Sequence, residues 1–250
     1  MIAQETNNSA RQCPHNATIN CNQCSLGDIC LPAALKADEI NRLDDIVRRR
    51  RDLVKGKHLY RTLDGFQSVY AIRSGHIKTY QITEDGEEQV TGFYFPGEIV
   101  GLDGIGKNHY TNNAKALDEA GICEIPFTQF QQLTSEFPEL QMHFFQLMGK
   151  EITSDQMLIT LLSKKTAEQR LATFLLTISA RKARHNQCSN RFTLPMPRSD
   201  IANYLGLTIE TVSRIFSRLA KAETITFSNK DIEIIDADKL KELANLDGEF

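Results

Sequence analysis

Three thiols crowd near the start of the chain: Cys21-Asn-Gln-Cys24, then Ser-Leu-Gly-Asp-Ile and Cys30. A C-x2-C-x5-C run lets three soft thiolates turn inward around one point, which suits zinc or an iron-sulfur cluster. A site of either kind takes a fourth ligand, and Cys123 is the natural candidate. Taken alone, Cys123 would read as a small buried hydrophobe, because Ile122-Cys123-Glu124-Ile125 alternates like a strand. The thiolates by themselves leave zinc and iron-sulfur both open. Cys13 and Cys188 have no evident partners and read as spare thiols. Six cysteines in 250 residues are too few for a disulfide scaffold.

A second constellation lies near the other end. Arg198-Ser-Asp-Ile-Ala-Asn-Tyr-Leu205 reads as a short helix capped by Ser199 or Asp200, with Gly206 as the turn. Thr208 to Ala220 reads as the next helix, with Ile209, Val212, Ile215, Phe216 and Leu219 available for the inside. That order is the grammar of a helix-turn-helix. Glu210, Ser213 and Arg214 stand at i, i+3 and i+4, so they share one face near the end that enters a major groove. Arg suits guanine, Glu suits cytosine N4, and Ser reaches several acceptors or a thymine methyl. Arg198, Thr208 and Arg218 are placed beside them for further DNA contacts. Arg198, Arg214, Arg218 and Lys221 outnumber Asp200 and Glu210 in a chain of net charge -3, so positive charge is concentrated where phosphates would lie.

These groups need elements to hold them. From Val54 to Pro126, short apolar segments are punctuated by Gly56, Gly65, Gly75, Gly86, Gly92, Gly97 and Gly101, which predicts a β-barrel or β-roll. Ahead of it, Ala37 to Arg51 reads as a helix whose closing run Arg48-Arg49-Arg50-Arg51 is a solvated end favoured by the macrodipole. Phe145, Met148, Ile152, Asp155, Ile159 and Leu162 step by threes and fours through a long helix, a coiled-coil seam with one acidic residue. In a parallel dimer the two Asp155 carboxylates would face each other, making association weak. Thr166 to Arg184 is again helical, and Ile225–Phe227 with Ile232–Ile235 reads as the hairpin of a wing.

The sum is an α+β chain. Residues 1–35 form a cysteine-rich cluster-binding arm and 36–135 a β-roll sensor domain. Residues 136–165 form a dimerisation helix and 166–250 a winged helix-turn-helix domain. An apolar content of 41% excludes disorder throughout, and the net charge excludes histone-like binding by bulk positive charge. No apolar run approaches the roughly 18 residues of a spanning helix, and the first residues lack the apolar middle of an export signal. The expected setting is cytoplasmic, with no membrane partner. Gly101-Leu-Asp-Gly-Ile-Gly-Lys-Asn108 almost spells a P-loop but supplies no hydroxyl for magnesium, and nothing else suggests an enzyme.

With both constellations in view, the chain resembles the oxygen-responsive FNR-type members of the CRP/FNR family of bacterial transcription regulators over nearly its whole length. The resemblance rests on the three-cysteine run with Pro32 behind it and on Tyr70-Ala-Ile-Arg-Ser-Gly-His-Ile-Lys78. It rests further on Gly97-Glu-Ile-Val-Gly101, Cys123-Glu-Ile-Pro126, Leu162-Ser-Lys-Lys165 and Asn203-Tyr-Leu-Gly-Leu-Thr-Ile-Glu-Thr-Val-Ser-Arg214. It implies that Cys21, Cys24, Cys30 and Cys123 hold an oxygen-labile 4Fe-4S cluster. It also implies that the cluster-loaded homodimer reads TTGAT-N4-ATCAA-like palindromes in double-stranded DNA and activates or represses genes of anaerobic metabolism, the cluster-free form being monomeric. RNA polymerase would be touched by Thr83, Asp85, Gly86, Glu87 and Asp118. Cyclic-nucleotide-binding relatives follow the Gly-Glu pair with an Arg-Ser clamp, where this chain has Thr111-Asn-Asn-Ala114, and Ile209 and Ser213 depart from those relatives in the same direction. Lys221-Ala-Glu-Thr224 lacks the glycine usual after the recognition helix. The alternatives are a zinc-stapled regulator that senses nothing, or a small-molecule-gated one.

Overall fold

In the computed structural model, which describes residues 20–184 and 188–245, two four-stranded antiparallel sheets form the β-roll. One has the order β1-β8-β3-β6: β1 (Arg48–Leu53), β8 (Ala120–Pro126), β3 (Ser68–Ser74) and β6 (Ile99–Val100). The other runs β2-β7-β4-β5: β2 (His58–Tyr60), β7 (Asn113–Ala116), β4 (Ile77–Ile82) and β5 (Glu88–Tyr94). Their apolar faces share a core that includes Tyr60, Ile72, Ile77, Ala114 and Ile122. Among the turn glycines Gly75 is irreplaceable: its φ is +72°, and a Cβ there would sit 2.3 Å from the Glu119 carbonyl oxygen.

Helix α1 (Ala37–Ile46) is shorter than its sequence suggests. The arginine run does not close it; Arg48–Leu53 is strand β1, paired with β8 so that Arg49 stands opposite Cys123. Four consecutive arginines carry no period-2 alternation in hydropathy, so only pairing with the cysteine-bearing strand decides their conformation.

Helix α2 (Phe127–Glu136) leads into α3 (Pro138–Lys164), whose first turns are anchored on the β-roll by Leu140 and Phe144. Beyond it, α4 (Ala167–Arg184), α5 (Arg198–Tyr204), α6 (Ile209–Lys221) and α7 (Ala237–Ala244) pack on a sheet of order β10-β11-β9. Its strands are β10 (Ile225–Ser228), β11 (Asp231–Ile234) and β9 (Arg191–Thr193). The wing hairpin is as expected, and β9 joins it as a third strand, with Phe192 buried. Val212, Ile215, Phe216 and Leu219 are buried from α6, each contributing about 1.5–3 kcal/mol. Ile209 is not among them: at the first position of the helix it is 48% exposed.

Neither Ser199 nor Asp200 caps α5; Pro197 occupies the cap, and Asp200 turns away to an ion pair described below. Gly206, at φ +61°, makes the turn to α6. The absent glycine after α6 is replaced by Glu223 in the left-handed region, φ +53°. The Glu223 N–H donates to Ala220 O and the Thr224 N–H to Leu219 O, the paired bonds of a Schellman ending. Glu223→Gly should therefore stabilise the domain by about 1 kcal/mol, read as a rise in the thermal midpoint. An unchanged or lower midpoint contradicts this.

Candidate functional site

The arm is shaped by short local turns. Asn20 Oδ1 accepts from the Gln23 N–H at 3.1 Å, starting a 3-10 turn at Cys21–Gln23. The Cys30 N–H closes on Leu26 O at 3.0 Å. Leu26 and Leu31 are buried and hold the arm down. Cys21, Cys30 and Cys123 pack against the same apolar cluster, and the charges of Cys24, Cys30 and Cys123 influence one another. Cys13 lies outside the described residues; Cys188 is exposed and donates to Asn190 Oδ1.

Cationic and acidic neighbours complete the surroundings. Arg49 is ion-paired with Asp44 and its Nη2 lies 3.8 Å from Cys21 Sγ, while Asp44 also accepts from the Cys21 N–H at 2.6 Å. Burial pushes the Cys30 thiol up to about 12 and raises Cys21 and Cys123 as well. At Cys123 the guanidiniums of Arg73 and Arg49 oppose that rise. Among the described residues no group of three or more His, Cys, Asp or Glu is set to hold a single metal ion. The donor chemistry suits a thiolate-bound group: Cys21 and Cys30 of the arm and Cys123 of the roll meet one apolar cluster, and the guanidiniums of Arg73 and Arg49 act on Cys123. A group held by these thiols would displace their protons, so its binding would be coupled to proton release.

The arm meets the long helix directly. His143 of α3 hydrogen-bonds through Nε2 to the Cys30 carbonyl at 3.2 Å, and Leu31 and Phe144 belong to one core. Further along α3, Phe145, Ile152 and Ile159 stand 54%, 56% and 67% exposed, an apolar stripe with Asp155 between the last two. Met148 and Leu162 of the predicted seam are instead half-buried, Met148 against the β-roll cluster.

Between α3 and the roll lies a cavity of about 250 Å³ whose lining includes Asp103, Glu151, Asp155, Thr79, Thr91 and Asn112. Burial raises both Glu151 and Asp155. Asp103 Oδ2 accepts from the backbone N–H of Thr111 (2.8 Å) and Asn112 (2.9 Å), and from Thr111 Oγ1 and Asn112 Nδ2. The donors that an anionic ligand would need at Thr111-Asn112 are taken by a carboxylate of the chain itself. The near-P-loop sequence is a 3-10 turn (Leu102–Gly104) leading to a strand rather than a helix.

At the other end, Thr208 caps α6 by accepting from the Thr211 N–H, and Glu210, Ser213 and Arg214 share a face with Glu210 and Arg214 exposed. A backbone N–H and the Thr208 hydroxyl hold the Glu210 carboxyl below its usual range, with Arg214 adding to the effect. Arg198 does not project freely: its guanidinium lies 4.8 Å and 4.9 Å from the Phe216 and Phe227 ring centres. Arg218 is paired with Glu168 at 3.0 Å but remains 62% exposed. Thr83, Asp85, Gly86 and Glu87 form the tight exposed β4–β5 turn, with the Thr83 N–H donating to Glu87 O. Asp118 lies in a separate turn and accepts from the His76 N–H and ring Nδ1, both at 2.7 Å.

Sequence reasoning missed Arg49, Arg73, Asp103 and Asn203. Each is defined by what it meets across the fold, which no local spacing in the sequence announces.

Comparison with known proteins follows the same division. Residues 50–137 match the family model "Cyclic nucleotide-binding domain" and residues 169–243 the "Crp-like helix-turn-helix domain". The chain is 45% identical over 230 residues to the transcriptional activator protein Anr of Pseudomonas protegens, covering 92% of this chain and 94% of that one. It is 44% identical over 226 residues to the fumarate nitrate reduction regulatory protein of Klebsiella oxytoca, covering 90% of each. FixK2 from Bradyrhizobium japonicum superposes with a TM-score of 0.73 at 26% identity, covering 79% of this chain and 97% of that one. Among the described residues no helix is long and apolar enough to cross a membrane. With relatives matched at 44–45% identity over at least 90% of the chain, and with both family models matched, the chain belongs to the Anr/Fnr-type transcription regulators of the CRP/FNR family, DNA-binding proteins rather than enzymes.

Proposed function

We propose that the protein is an oxygen-responsive regulator of anaerobic metabolism. In this reading Cys21, Cys24, Cys30 and Cys123 hold a 4Fe-4S cluster, and the loaded homodimer binds TTGAT-N4-ATCAA-like palindromes to activate or repress transcription. The observation that carries it is the joint placement of Cys30 and Cys123: the arm bearing Cys30 touches α3 through His143, and Cys123 lies on β8 opposite Arg49. A bound cluster would supply the oxygen-labile link between arm and roll.

The remaining steps belong to the chain. Tied to the roll, the arm holds Leu31 and the Cys30 carbonyl against α3. Phe145, Ile152 and Ile159 then pack against a second copy, and that gain offsets the repulsion of two Asp155 carboxylates. A released arm withdraws the support, the dimer dissociates, and a monomer carries one reading head for two half-sites, forfeiting about 10²–10⁴ in operator affinity. Glu210, Ser213 and Arg214 read base edges; Arg198, Thr208 and Arg218 serve the surrounding contacts. The turn of Thr83, Asp85, Gly86 and Glu87, with Asp118, is the surface offered to RNA polymerase.

Asp155→Ala should let cluster-free protein dimerise at micromolar concentrations in sedimentation velocity; a monomer there removes Asp155 from the switch. The whole reading is tested by a visible spectrum with iron, sulfide and zinc analysis, on protein purified without oxygen and then exposed to air. About four irons per chain and a spectrum that changes in air are expected. A colourless, air-stable protein with one zinc would leave a zinc-stapled DNA-binding regulator in its place.

A further inference from the structure

Among the described residues strand β5 is the outer strand of its sheet, and no described strand pairs with its outward N–H and C=O groups. One side chain of the helix-turn-helix meets them. Asn203 of α5 donates through Nδ2 to Glu88 O at 2.6 Å and accepts through Oδ1 from the Val90 N–H at 2.6 Å. The carbonyl of one residue and the N–H two residues on point the same way from a strand, and a neighbouring peptide group ordinarily bridges them. Here the carboxamide of Asn203 does so. Gln89 Nε2 adds a bond back to Asn203 O at 3.3 Å.

Beside this contact is a charge cluster built around a buried lysine. Lys78, its side chain 7% exposed, places Nζ 2.9 Å from Glu88 Oε2 on its own sheet and 3.0 Å from Asp200 Oδ1 on α5. Asp200 is thereby fixed one helical turn before Asn203. At the far end of β5, Phe93 sits against Tyr204 (5.1 Å between ring centres) and Phe174 (6.1 Å), and Arg181 of α4 donates to Phe93 O at 2.6 Å. The first helix of the DNA-reading motif is clasped along the length of one roll strand, while Glu210 and Arg214 remain exposed.

We propose that Asn203 and Lys78 are positioning residues that lock the helix-turn-helix to the β-roll of the same chain, and so set the distance between the two recognition helices of the dimer. Neither touches the base-reading face. Their effect is on which half-site spacing the dimer accepts, because two heads can bind together only if the body between them holds the required separation. This rests on the reading of α6 as the reader of a palindrome.

The test uses full-length, cluster-loaded protein under anaerobic conditions with duplexes carrying TTGAT and ATCAA separated by three, four or five base pairs, and a duplex with one half-site. Wild type should prefer the four-base-pair spacer by at least about tenfold. Asn203→Ala and Lys78→Met should compress that preference to within about threefold, mainly by weakening the four-base-pair complex, with half-site binding within about twofold of wild type. Lys78→Arg, which keeps a cation for Glu88 and Asp200, should retain the preference. Because the two disruptive changes lie in different domains, a folding defect in one leaves the other to decide. Variants that keep the wild-type spacing preference, or that lose half-site binding as steeply as palindrome binding, overturn the latch. A wild-type chain that binds no palindrome overturns the DNA reading, and the latch with it.

Discussion

Cys123→Ala protein purified without oxygen is expected to be colourless, monomeric and weak on its operator. Cys123 is the one proposed ligand on the roll; the other three lie within ten residues of each other on the arm. Its removal is expected to leave the arm nothing on β8 to close onto, so that the link to the roll goes while the fold stays. The substitution itself is mild: Cys123 is a partly buried hydrophobe in the cluster that holds Val69 and Ile125, and alanine fits a strand position paired with Ala71. Iron should fall from about four per chain to near none, and operator Kd should rise on the order of 10²-fold or more. Cys188→Ser, at an exposed thiol remote in sequence from the arm, is the control and should keep full iron. A Cys123→Ala chain that retains iron and its response to air would exclude Cys123 as a ligand.

Arg214→Ala should cost nearly as much by a different route. A bidentate arginine–guanine contact contributes about 1–3 kcal/mol of discrimination, and a dimer makes it twice, giving about 2–6 kcal/mol, or roughly 30-fold to 10⁴-fold in Kd. The loss should be confined to operators with the intended base, leaving non-specific binding and its salt dependence close to wild type. Arg218→Ala provides the contrast. Its guanidinium is shared with Glu168 and points to solvent, so its removal should weaken all sequences by similar small factors and reduce the salt slope by about two, one for each subunit. Titrations of matched and mutated operators at several salt concentrations separate the two. An Arg214→Ala protein with unchanged discrimination would move base reading elsewhere on α6.

The two variants probe the features that were legible as spacing. C-x2-C-x5-C is local, and so is the i, i+3, i+4 face of Glu210, Ser213 and Arg214, because helix geometry brings those positions together wherever the helix sits. The turn glycines announced the roll for the same reason. Where sequence and structure part, local rules lacked information. The arginines of β1 suggest a helix end because like charges carry no periodicity, yet pairing with β8 makes Arg49 a neighbour of Cys123. Asp200 suggests a cap because Asp often is one; a buried lysine 122 residues earlier in the chain engages it instead.

By itself, then, the sequence determined the chemistry: which thiols are available, which face of which helix can read DNA, and that a long helix carries an acid in its apolar stripe. The tertiary structure decided the environment of that chemistry. It set two guanidiniums beside Cys123, filled the Thr111-Asn112 donors with Asp103, turned Met148 toward the roll, and joined Asn203 to the edge of β5. The reason is one of range. Side-chain types and spacings of three to seven residues are fixed by the chain's own helical and extended geometry, whereas a partner a hundred residues away is selected only when the cores close and the buried polar groups must find one another.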